Sequence, residues 1–301
     1  MGANSKIEWT DHTFNPWWGC ARVSPGCEHC YAESFAKRVG QKVWGVQADR
    51  RFFSEKHWRE PLKWDAAALR AGERRRVFCA SMADVFEDRA ELIEPRAQLW
   101  RLIIATPHLD WLLLTKRPEN LLRMVPWTAV RDAKPWINVW LGTTVEDQRR
   151  ADERIPHLLS VPAVVRFLSC EPLLERVSLA SWLHSEHGRR QIGARPGLSW
   201  VIVGGESGHH AREFNLDWAR SIVSQCRAAG VPVHVKQMGA NRRPGRIERP
   251  EYGKGAYSLE LLQIRDKKGG NWDEWPSDLR IREYPLMTRW PVRVRYQEGD
   301  R

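Results

Sequence analysis

The sequence has few cysteines for its length and no long apolar run. Its 301 residues include six cysteines, of which three lie close together and three stand alone. This sparse, uneven placement excludes a disulfide framework and favours a metal or redox site. No segment approaches the run of about 18 apolar residues that spans a bilayer, and the first residues lack the apolar core of a signal peptide. The sequence therefore predicts a cytoplasmic protein that has no contact with a membrane.

Acidic residues are the minority charge. The 37 Asp and Glu residues stand against 48 Lys and Arg, which gives a formal net charge of +11. Such a balance is typical of proteins that contact phosphate backbones, although a basic surface without a partner is equally compatible with it. The 17 tryptophans favour the first interpretation slightly, because indole rings stack on bases as well as filling cores. A nucleic acid or nucleotide is therefore the predicted substrate.

Short apolar runs alternate with helical stretches along most of the chain. Nearly continuous apolar strands are typical of parallel sheets, and their alternation with helices indicates repeated βαβ units. The predicted fold class is α/β, with an α/β barrel and a doubly wound open sheet both compatible with the pattern. The predicted strands cover residues 77–80, 111–114, 137–141, 164–168, 200–203 and 231–235.

Nearly every predicted strand ends in polar residues. In both fold types the functional site is built at the carboxyl ends of the strands, from several strands together. The pattern therefore predicts where the site lies more firmly than it predicts the topology. The residues at the strand ends are Asp84, Lys116, Thr144, Glu171, Glu206 and Gln237.

The chain divides into a main unit and an extension. Residues 1–240 are the predicted barrel, which includes a cysteine loop at 15–31 and a basic, weakly periodic insertion at 38–76. Residues 241–301 are rich in Arg, Pro and Gly and contain no further predicted strand–helix unit. They are predicted to form an extension that wraps the barrel.

The clustered cysteines have the spacing C-x6-C-x2-C. Thiolates are soft ligands suited to iron–sulfur clusters, zinc or copper(I), and short spacing keeps the entropy cost of gathering them small. Three incidental buried thiols are the alternative. A structural zinc site needs four protein ligands, which His29 or His12 would complete, whereas three ligands leave one iron of a cubane cluster open. The predicted metal ligands are Cys20, Cys27 and Cys30.

Four motifs together carry a resemblance to a known family. They are the cysteine loop, its Ser-Pro-Gly-Cys turn with Cys-Tyr-Ala-Glu after it, a late Gly-Gly-Glu-Ser, and the tail WPSDLRIREYP. From about Trp9 to Pro285 the chain resembles the three-cysteine-motif family encoded by phages and bacteria. That family is similar to a divergent branch of the radical S-adenosylmethionine superfamily.

The resemblance implies a partial (βα)6-type barrel, similar to a TIM barrel, and a [4Fe–4S] cluster on Cys20, Cys27 and Cys30. The open iron would hold S-adenosylmethionine. Its reductive cleavage, with electrons from a donor such as flavodoxin or ferredoxin, would give methionine and a 5′-deoxyadenosyl radical that abstracts hydrogen from a substrate.

The chain departs from the superfamily pattern in two places. The usual spacing is C-x3-C-x2-C with an aromatic residue before the last cysteine, whereas three residues are added here and His29 takes that position. The superfamily's Gly-Gly-Glu follows the second strand, whereas Gly204, Gly205 and Glu206 follow a much later one. We therefore expect the residues behind the second strand to contact the methionine group instead; they are Ser81, Met82 and Asp84.

The other strand-end residues have two possible roles each. Glu171, Glu206 and Lys236 are the predicted catalytic residues, with exposed, solvated side chains as the alternative. The glycine pair could bind an anion through its amides or serve only the geometry of a turn. The predicted cofactor-binding residues are Ser81, Asp84, Lys116, Thr144, Gly204, Gly205 and Glu206.

The sequence thus predicts a radical S-adenosylmethionine-type iron–sulfur enzyme that modifies a nucleic acid or nucleotide. The alternative is a zinc-stabilised nucleic-acid-binding protein without catalysis, and a third hypothesis is an inactive barrel that serves a partner protein. The three isolated cysteines are predicted to be buried core residues. They are Cys79, Cys170 and Cys226.

Overall fold

The predicted alternation of strands and helices is present in the structure, a computed structural model that describes residues 4–130, 133–183, 197–248, 257–259 and 263–285. The strands are β1 (His12–Thr13), β2 (Trp17–Trp18), β3 (Arg51–Phe52), β4 (Arg75–Cys79), β5 (Leu109–Thr115), β6 (Val139–Thr144), β7 (Val165–Cys170), β8 (Trp200–Gly204), β9 (Phe214–Asn215), β10 (Val233–Gln237), β11 (Arg242–Arg243), β12 (Arg246–Glu248) and β13 (Tyr257–Leu259).

The helices fill the connections between these strands. The α-helices are α1 (Tyr31–Arg38), α2 (Glu55–Trp58), α3 (Glu60–Ala71), α4 (Ile93–Ile104), α5 (Leu121–Met124), α6 (Gln148–Leu159), α7 (Ala180–Leu183) and α8 (Leu216–Ala228). Short 3-10 helices cover Pro25–Cys27, Ala90–Leu92, Pro118–Asn120, Pro126–Ala129, Trp272–Glu274 and Ser277–Leu279. Within the ranges that the structure describes, no helix has the length and apolar character needed to span a bilayer.

Seven of the strands form one parallel sheet in the order β1-β4-β5-β6-β7-β8-β10. This spatial order follows the chain order without a reversal, as in a barrel that stays open between its first and last strands. A doubly wound sheet would reverse its order at a switch point. The predicted α/β fold with a partial, TIM-like barrel is therefore confirmed.

All six predicted strands are present, and the sheet contains one more. Strand β1 has only two residues, and His12 pairs with Val77 while Thr13 pairs with Phe78. Two residues are too few to show a hydrophobic period, which is why the sequence pattern did not predict this strand.

The sheet is buried on both faces. On one face the strands pack against the helices in a large apolar core, which includes Ile103 of α4, Ile155 of α6 and Ile222 of α8. The opposite face carries a smaller cluster built from strand residues and one tryptophan before β1. This cluster fills the inside of the partial barrel, so the interior below the carboxyl ends of the strands is packed with side chains. Its buried members are Trp9, Phe78, Leu112, Trp140, Val165, Phe167, Trp200 and Ile202.

One glycine makes this packing possible. Gly142 of β6 pairs with Phe167 of β7, and a Cβ atom at position 142 would lie 2.4 Å from the ring of Phe167. Since real Cβ atoms do not come so close to other atoms, only glycine leaves room for the ring.

The predicted insertion at residues 38–76 contains a helix that belongs to the main sheet. Helix α3 lies within it, and Trp64 and Ala68 of this helix are buried in the large core with Val77 of β4. The helix connects β1 to β4 in the way that other helices connect later strands. The weakly periodic pattern of residues 38–76 did not predict this helix, and the bounds of the insertion stay a prediction.

The chain after β11 returns to the edge of the sheet. Val235 of β10 donates to the carbonyl oxygen of Ile281, at 2.9 Å, and the amide of Glu283 donates to the carbonyl oxygen of Val233, at 3.0 Å. These bonds cover an edge strand that would otherwise expose unpaired amides and carbonyls. The division into a barrel of residues 1–240 and an extension of residues 241–301 stays a prediction.

A buried histidine lies on the same edge strand. His234 is fully buried, its ring centroid lies 5.9 Å from that of Trp200 and 5.3 Å from that of Tyr284, and neither ring nitrogen has a hydrogen-bond partner among the described residues. Burial, reinforced by nearby Arg282, lowers the pKa of His234 to about 3. The folded protein therefore holds this histidine neutral at every pH in ordinary use.

We predict that this histidine makes the fold sensitive to mild acid. Between pH 6.5 and 3 the unfolded chain binds a proton at His234 that the folded chain does not, so stability falls as the pH decreases. The loss is about 1.4 kcal/mol per pH unit, or about 2 kcal/mol between pH 6.5 and pH 5. Urea unfolding at pH 7 and pH 5 measures it, with His234→Leu as the test variant and the exposed His157→Leu as the control. Equal acid sensitivity of the two variants would contradict the prediction.

Candidate metal centre at the carboxyl edge of the sheet

The cysteine loop lies across the carboxyl edge of the sheet and is fixed there at its start by Gly19. The Gly19 amide donates to the carbonyl oxygen of Met82, which follows β4, at 2.9 Å. Its φ angle is +117°, and a Cβ atom would lie 2.4 Å from the carbonyl oxygen of Val43. Both the angle and the space require glycine, so the residue before the first cysteine is determined by backbone geometry.

The end of β5 supplies a cation beside the first cysteine. Arg117 donates from Nη1 to Sγ of Cys20 at 3.5 Å and from Nη2 to the carbonyl oxygen of Ala21 at 2.8 Å. Burial raises the pKa of the Cys20 thiol to about 12, and the guanidinium of Arg117 opposes that shift. Arg117 keeps its charge because Asp84 and Cys20 outweigh the effect of burial on its own pKa.

The end of β6 holds the middle of the loop. The Gly26 amide donates to Oε1 of Glu146 at 3.2 Å, and Oε2 of Glu146 accepts from Arg154 of α6 at 2.7 Å. Glu146 is completely buried, so its charge is offset by Arg154 within the same pocket. A Cβ atom on Gly26 would lie 3.0 Å from the Glu146 carboxyl and 3.3 Å from Cε of Lys116.

The end of β8 holds the last part of the loop through a carboxylate. Oε2 of Glu206 lies 3.0 Å from Nδ1 of His29, and Arg212 donates to both oxygens of Glu206, at 2.6 Å to Oε1 and 3.1 Å to Oε2. Arg212 also donates to the carbonyl oxygen of Pro25 at 2.9 Å. Burial alone would raise the pKa of Glu206, but the hydrogen bonds from Arg212 and His29 lower it below its usual value.

Helix α1 begins directly after the third cysteine. Cys30 is the residue before its first turn, and the hydroxyl of Tyr31 donates to the carbonyl oxygen of Ser81, at 2.9 Å. Ser81 in turn shares a hydrogen bond with Asn15, whose Oδ1 accepts from the Met82 amide. Ser81 thus positions the loop and the chain behind β4 relative to each other.

Two further predicted residues, which follow β7 and end β10, form an ion pair at the same edge. Lys236 donates to both oxygens of Glu171, at 2.7 and 2.9 Å, and Gln237 donates to Oε1 of Glu171 at 3.2 Å. The charged groups of the pair are less than one-fifth exposed. The structure therefore brings together two of the three predicted catalytic residues, and Glu206 lies with the cysteine loop instead.

Asp84 is a predicted cofactor-binding residue that makes several hydrogen bonds within the protein, and its contact with a cofactor stays a prediction. Its carboxylate accepts four hydrogen bonds, from the hydroxyl of Thr115, the amides of Phe86 and Lys116, and the guanidinium of Arg117. Because these donors occupy the carboxylate, Asp84 fixes the end of β5 and the arginine beside Cys20.

The glycine pair at the end of β8 lies close to β10. The Gly205 amide donates to the carbonyl oxygen of Gln237 at 3.1 Å, and a Cβ atom on Gly205 would lie 2.8 Å from Cα of Gly239. A Cβ atom on Gly204 would lie 3.4 Å from the Glu171 carboxyl. Close approach of β8 and β10 therefore explains Gly205, and its amide is not free for an anion.

Thr144 is the last residue of β6 and is buried, and its carbonyl oxygen accepts a hydrogen bond from Arg154.

The structure adds three charged side chains at this edge that the sequence analysis did not single out. Two of them follow predicted strands by three and five residues, so the rule that found Lys116 and Glu171 also applied to them, whereas the third follows its strand by nine residues. These residues are Arg117, Glu146 and Arg212.

The other cysteines lie apart from this loop. All are fully buried in the apolar core, and burial raises the pKa of Cys226 to about 12. Their prediction as core residues is confirmed. They are Cys79, Cys170 and Cys226.

No three His, Cys, Asp or Glu side chains are grouped so that they could hold a single metal ion, within the part of the chain that the structure describes. His12, one of the two histidines considered as a fourth ligand, stacks on Trp64 with ring centroids 4.6 Å apart. His29, the other histidine, is hydrogen-bonded to Glu206. The assignment of Cys20 and its two partners as metal ligands stays a prediction.

The sequence matches the family described as "Protein of unknown function (DUF5131)" over residues 4–276. The chain belongs to the DUF5131 family. No curated protein matches this DUF5131 chain. The resemblance to a three-cysteine-motif family of phages stays a prediction.

Among solved structures, this DUF5131 chain is similar to two mutants of spore photoproduct lyase, in which one cysteine is replaced. The serine mutant has 15% sequence identity and a TM-score of 0.43, over 88% of this chain and 73% of that chain. The alanine mutant has 14% identity and a TM-score of 0.40, over 96% of this chain and 72% of that chain.

Proposed function

We propose that this chain is an iron–sulfur enzyme of the radical S-adenosylmethionine type. The observation that carries the proposal is the attachment of one three-cysteine loop to the ends of four strands. Bonds from Met82, Arg117, Glu146 and Glu206, which follow β4, β5, β6 and β8, all reach this loop. A catalytic centre at the carboxyl edge of a partial barrel is built in this way, from several strands together.

The donor set fits an iron–sulfur cluster. Three thiols within one short loop are soft ligands, and the cation of Arg117 offsets the negative charge of a thiolate at Cys20. Thiols must lose their protons to bind iron. The guanidinium of Arg117, 3.5 Å from Sγ of Cys20, therefore favours the thiolate form of Cys20, which is the form that binds iron. Cys20, Cys27 and Cys30 would hold the cluster, which would supply the electron for cleavage of S-adenosylmethionine.

Other residues of the chain would help to hold this centre in place. Trp17 is fully buried within the loop, three residues before Cys20, and Asp84 fixes the direction of Arg117. The ion pair of Glu171 and Lys236 provides both charges at the same edge of the sheet, where a carboxylate or an amino group of a bound molecule could pair with them. We also propose that Lys116 and Thr144, which lie at the same edge of the sheet, contact the cofactor.

The substrate that we propose is a nucleic acid or nucleotide. The net charge of +11 supports it, because phosphate groups are the most common polyanionic partners of basic proteins. The electron donor in the cell would be a small redox protein such as a flavodoxin or ferredoxin.

Anaerobic purification followed by iron and sulfide reconstitution tests the proposal. We expect about four iron and four sulfide per chain, a broad absorbance band of the cluster, and formation of 5′-deoxyadenosine from S-adenosylmethionine with a chemical reductant. Tightly bound zinc after aerobic purification, without 5′-deoxyadenosine, would instead indicate a zinc-stabilised binding protein. That result would overturn the enzyme proposal.

A further inference from the structure

A group of aromatic rings covered by arginines lies next to the cysteine loop. We define the aromatic–arginine patch as Trp18, Phe35, Arg38, Arg51 and Phe53. The guanidinium of Arg51 lies over the ring of Trp18 at 4.9 Å and over that of Phe53 at 5.4 Å. The guanidinium of Arg38 lies over the ring of Phe35 at 5.3 Å.

The fold joins this patch directly to the candidate centre. Trp18 lies on β2, two residues before Cys20, and Phe35 lies on α1, which begins after Cys30. Trp18, Phe35 and Cys30 all pack against one small apolar cluster that contains Met82. The patch is therefore continuous with the loop that we propose to hold the cofactor.

The charge of the patch is not balanced within the described part of the chain. Arg38 and Arg51 are exposed, and neither forms an ion pair with a carboxylate of a described residue. On the same helix, Glu33 is shared by Arg22 and Lys37, at 2.8 and 2.7 Å, so two cations there face one carboxylate. The surface beside the loop is therefore positively charged and carries planar aromatic and guanidinium groups.

We propose that the aromatic–arginine patch binds a single-stranded nucleic acid and leads it to the candidate centre. This inference rests on the proposed function for the statement that the strand is a substrate. Bases of a single strand are free to stack on rings and on the planes of arginine guanidinium groups, whereas bases of a duplex already stack on each other. The same two arginines would contact phosphates.

The test measures binding of labelled single strands of about 20 nucleotides, DNA and RNA in parallel, to the reconstituted full chain by fluorescence anisotropy. In Arg38→Ala/Arg51→Ala we expect at least a tenfold (~10) increase in Kd and a salt dependence shallower by about 1.4 in log–log slope, about 0.7 for each lost phosphate contact. A duplex of the same length is expected to bind more weakly than the single strands.

A second variant separates stacking from charge. Arg38→Lys/Arg51→Lys keeps both charges but removes the planar groups, so we expect a Kd higher by about threefold to tenfold with an unchanged salt slope. The matched control is Arg70→Ala/Arg227→Ala, which removes two exposed charges near the ends of α3 and α8, next to the starts of β4 and β10. This control is expected to retain wild-type affinity within about twofold.

Besides a complete absence of strand binding, three results would overturn the inference. They are a Kd within twofold (~2) of wild type for the double alanine variant, an equal loss in the control, and tighter binding of the duplex than of the single strands. Comparison of the Kd values for DNA and RNA shows which kind of single strand binds more tightly. Cleavage of S-adenosylmethionine without substrate is measured in the same variants. If cleavage occurs but no strand binds, this inference fails alone, whereas binding without cleavage contradicts only the proposed function.

Discussion

Replacing any one of the three clustered cysteines by alanine is expected to abolish the cluster and the cleavage of S-adenosylmethionine. Loss of groups that merely orient a metal ligand lowers affinity or activity by about 10- to 100-fold, so loss of a ligand itself should exceed about 100-fold. Iron content, the absorbance of the reconstituted protein and 5′-deoxyadenosine formation measure this effect. The variants are Cys20→Ala, Cys27→Ala and Cys30→Ala.

The chain offers a matched control for this experiment. Cys226 is a fully buried thiol in α8, within the apolar core, and Cys226→Ala removes the same atoms without touching the loop. We expect it to bind iron and to form 5′-deoxyadenosine as the wild-type protein does. Full iron content in Cys27→Ala, or an equal loss in Cys226→Ala, would remove the basis for a cluster on this loop.

An intermediate result is expected for the arginine beside the first cysteine. Arg117→Gln removes a cation at 3.5 Å from Cys20 Sγ but leaves all three thiols. Its cluster should form and then be lost faster to an iron chelator than that of the wild-type protein. This ordering would separate the ligands from a group that stabilises one of them.

The sheet was predictable from the sequence because its strands are short but nearly continuous apolar runs. Residues 111–113 are buried in the interior of the sheet, and such runs are visible without any knowledge of tertiary contacts. Strand β1 escaped prediction because its pairing with β4 depends on two residues only. Helix α3 escaped because its buried positions, such as Trp64 and Ala68, are few within a basic segment.

The candidate site was predictable in position but not in its pairings. That polar residues end parallel strands is a property of the sequence, and it placed Lys116, Glu171 and Glu206 at one edge. The attachment of His29 to Glu206 and of Gly26 to Glu146 joins residues 177 and 120 positions apart. Such pairings depend on how the sheet curls, and no local pattern in the sequence encodes them.

Beneath the start of the cysteine loop lies a buried arginine that we expect to be important for stability. The side chain of Arg50 is completely buried and donates to both oxygens of Glu87, at 2.9 and 2.8 Å. It also donates to the carbonyl oxygens of Val43, Gly45 and Ala48, so that one guanidinium organises the turn from residue 43 to 48.

Replacing Arg50 by methionine is expected to destabilise the protein by about 3–5 kcal/mol. The change leaves Glu87 as a buried charge without its main partner and three carbonyl oxygens without a donor. Urea unfolding of the cluster-free protein measures the loss. The exposed pair of Arg149 and Glu153 provides the control, because exposed ion pairs contribute little and Arg149→Met should change the midpoint far less.

A second substitution tests whether the buried charge is the cause. In Arg50→Met/Glu87→Leu both charges are gone, so we expect much of the lost stability to return, because a buried ion pair can be replaced by apolar groups at little cost. The turn would remain less well fixed, and the Gly45 amide that donates to the Cys20 carbonyl oxygen at 2.9 Å would lose its support. The double variant should therefore fold but lose iron faster than the wild-type protein. Wild-type iron retention in this variant would show that the turn plays no part in holding the cysteine loop.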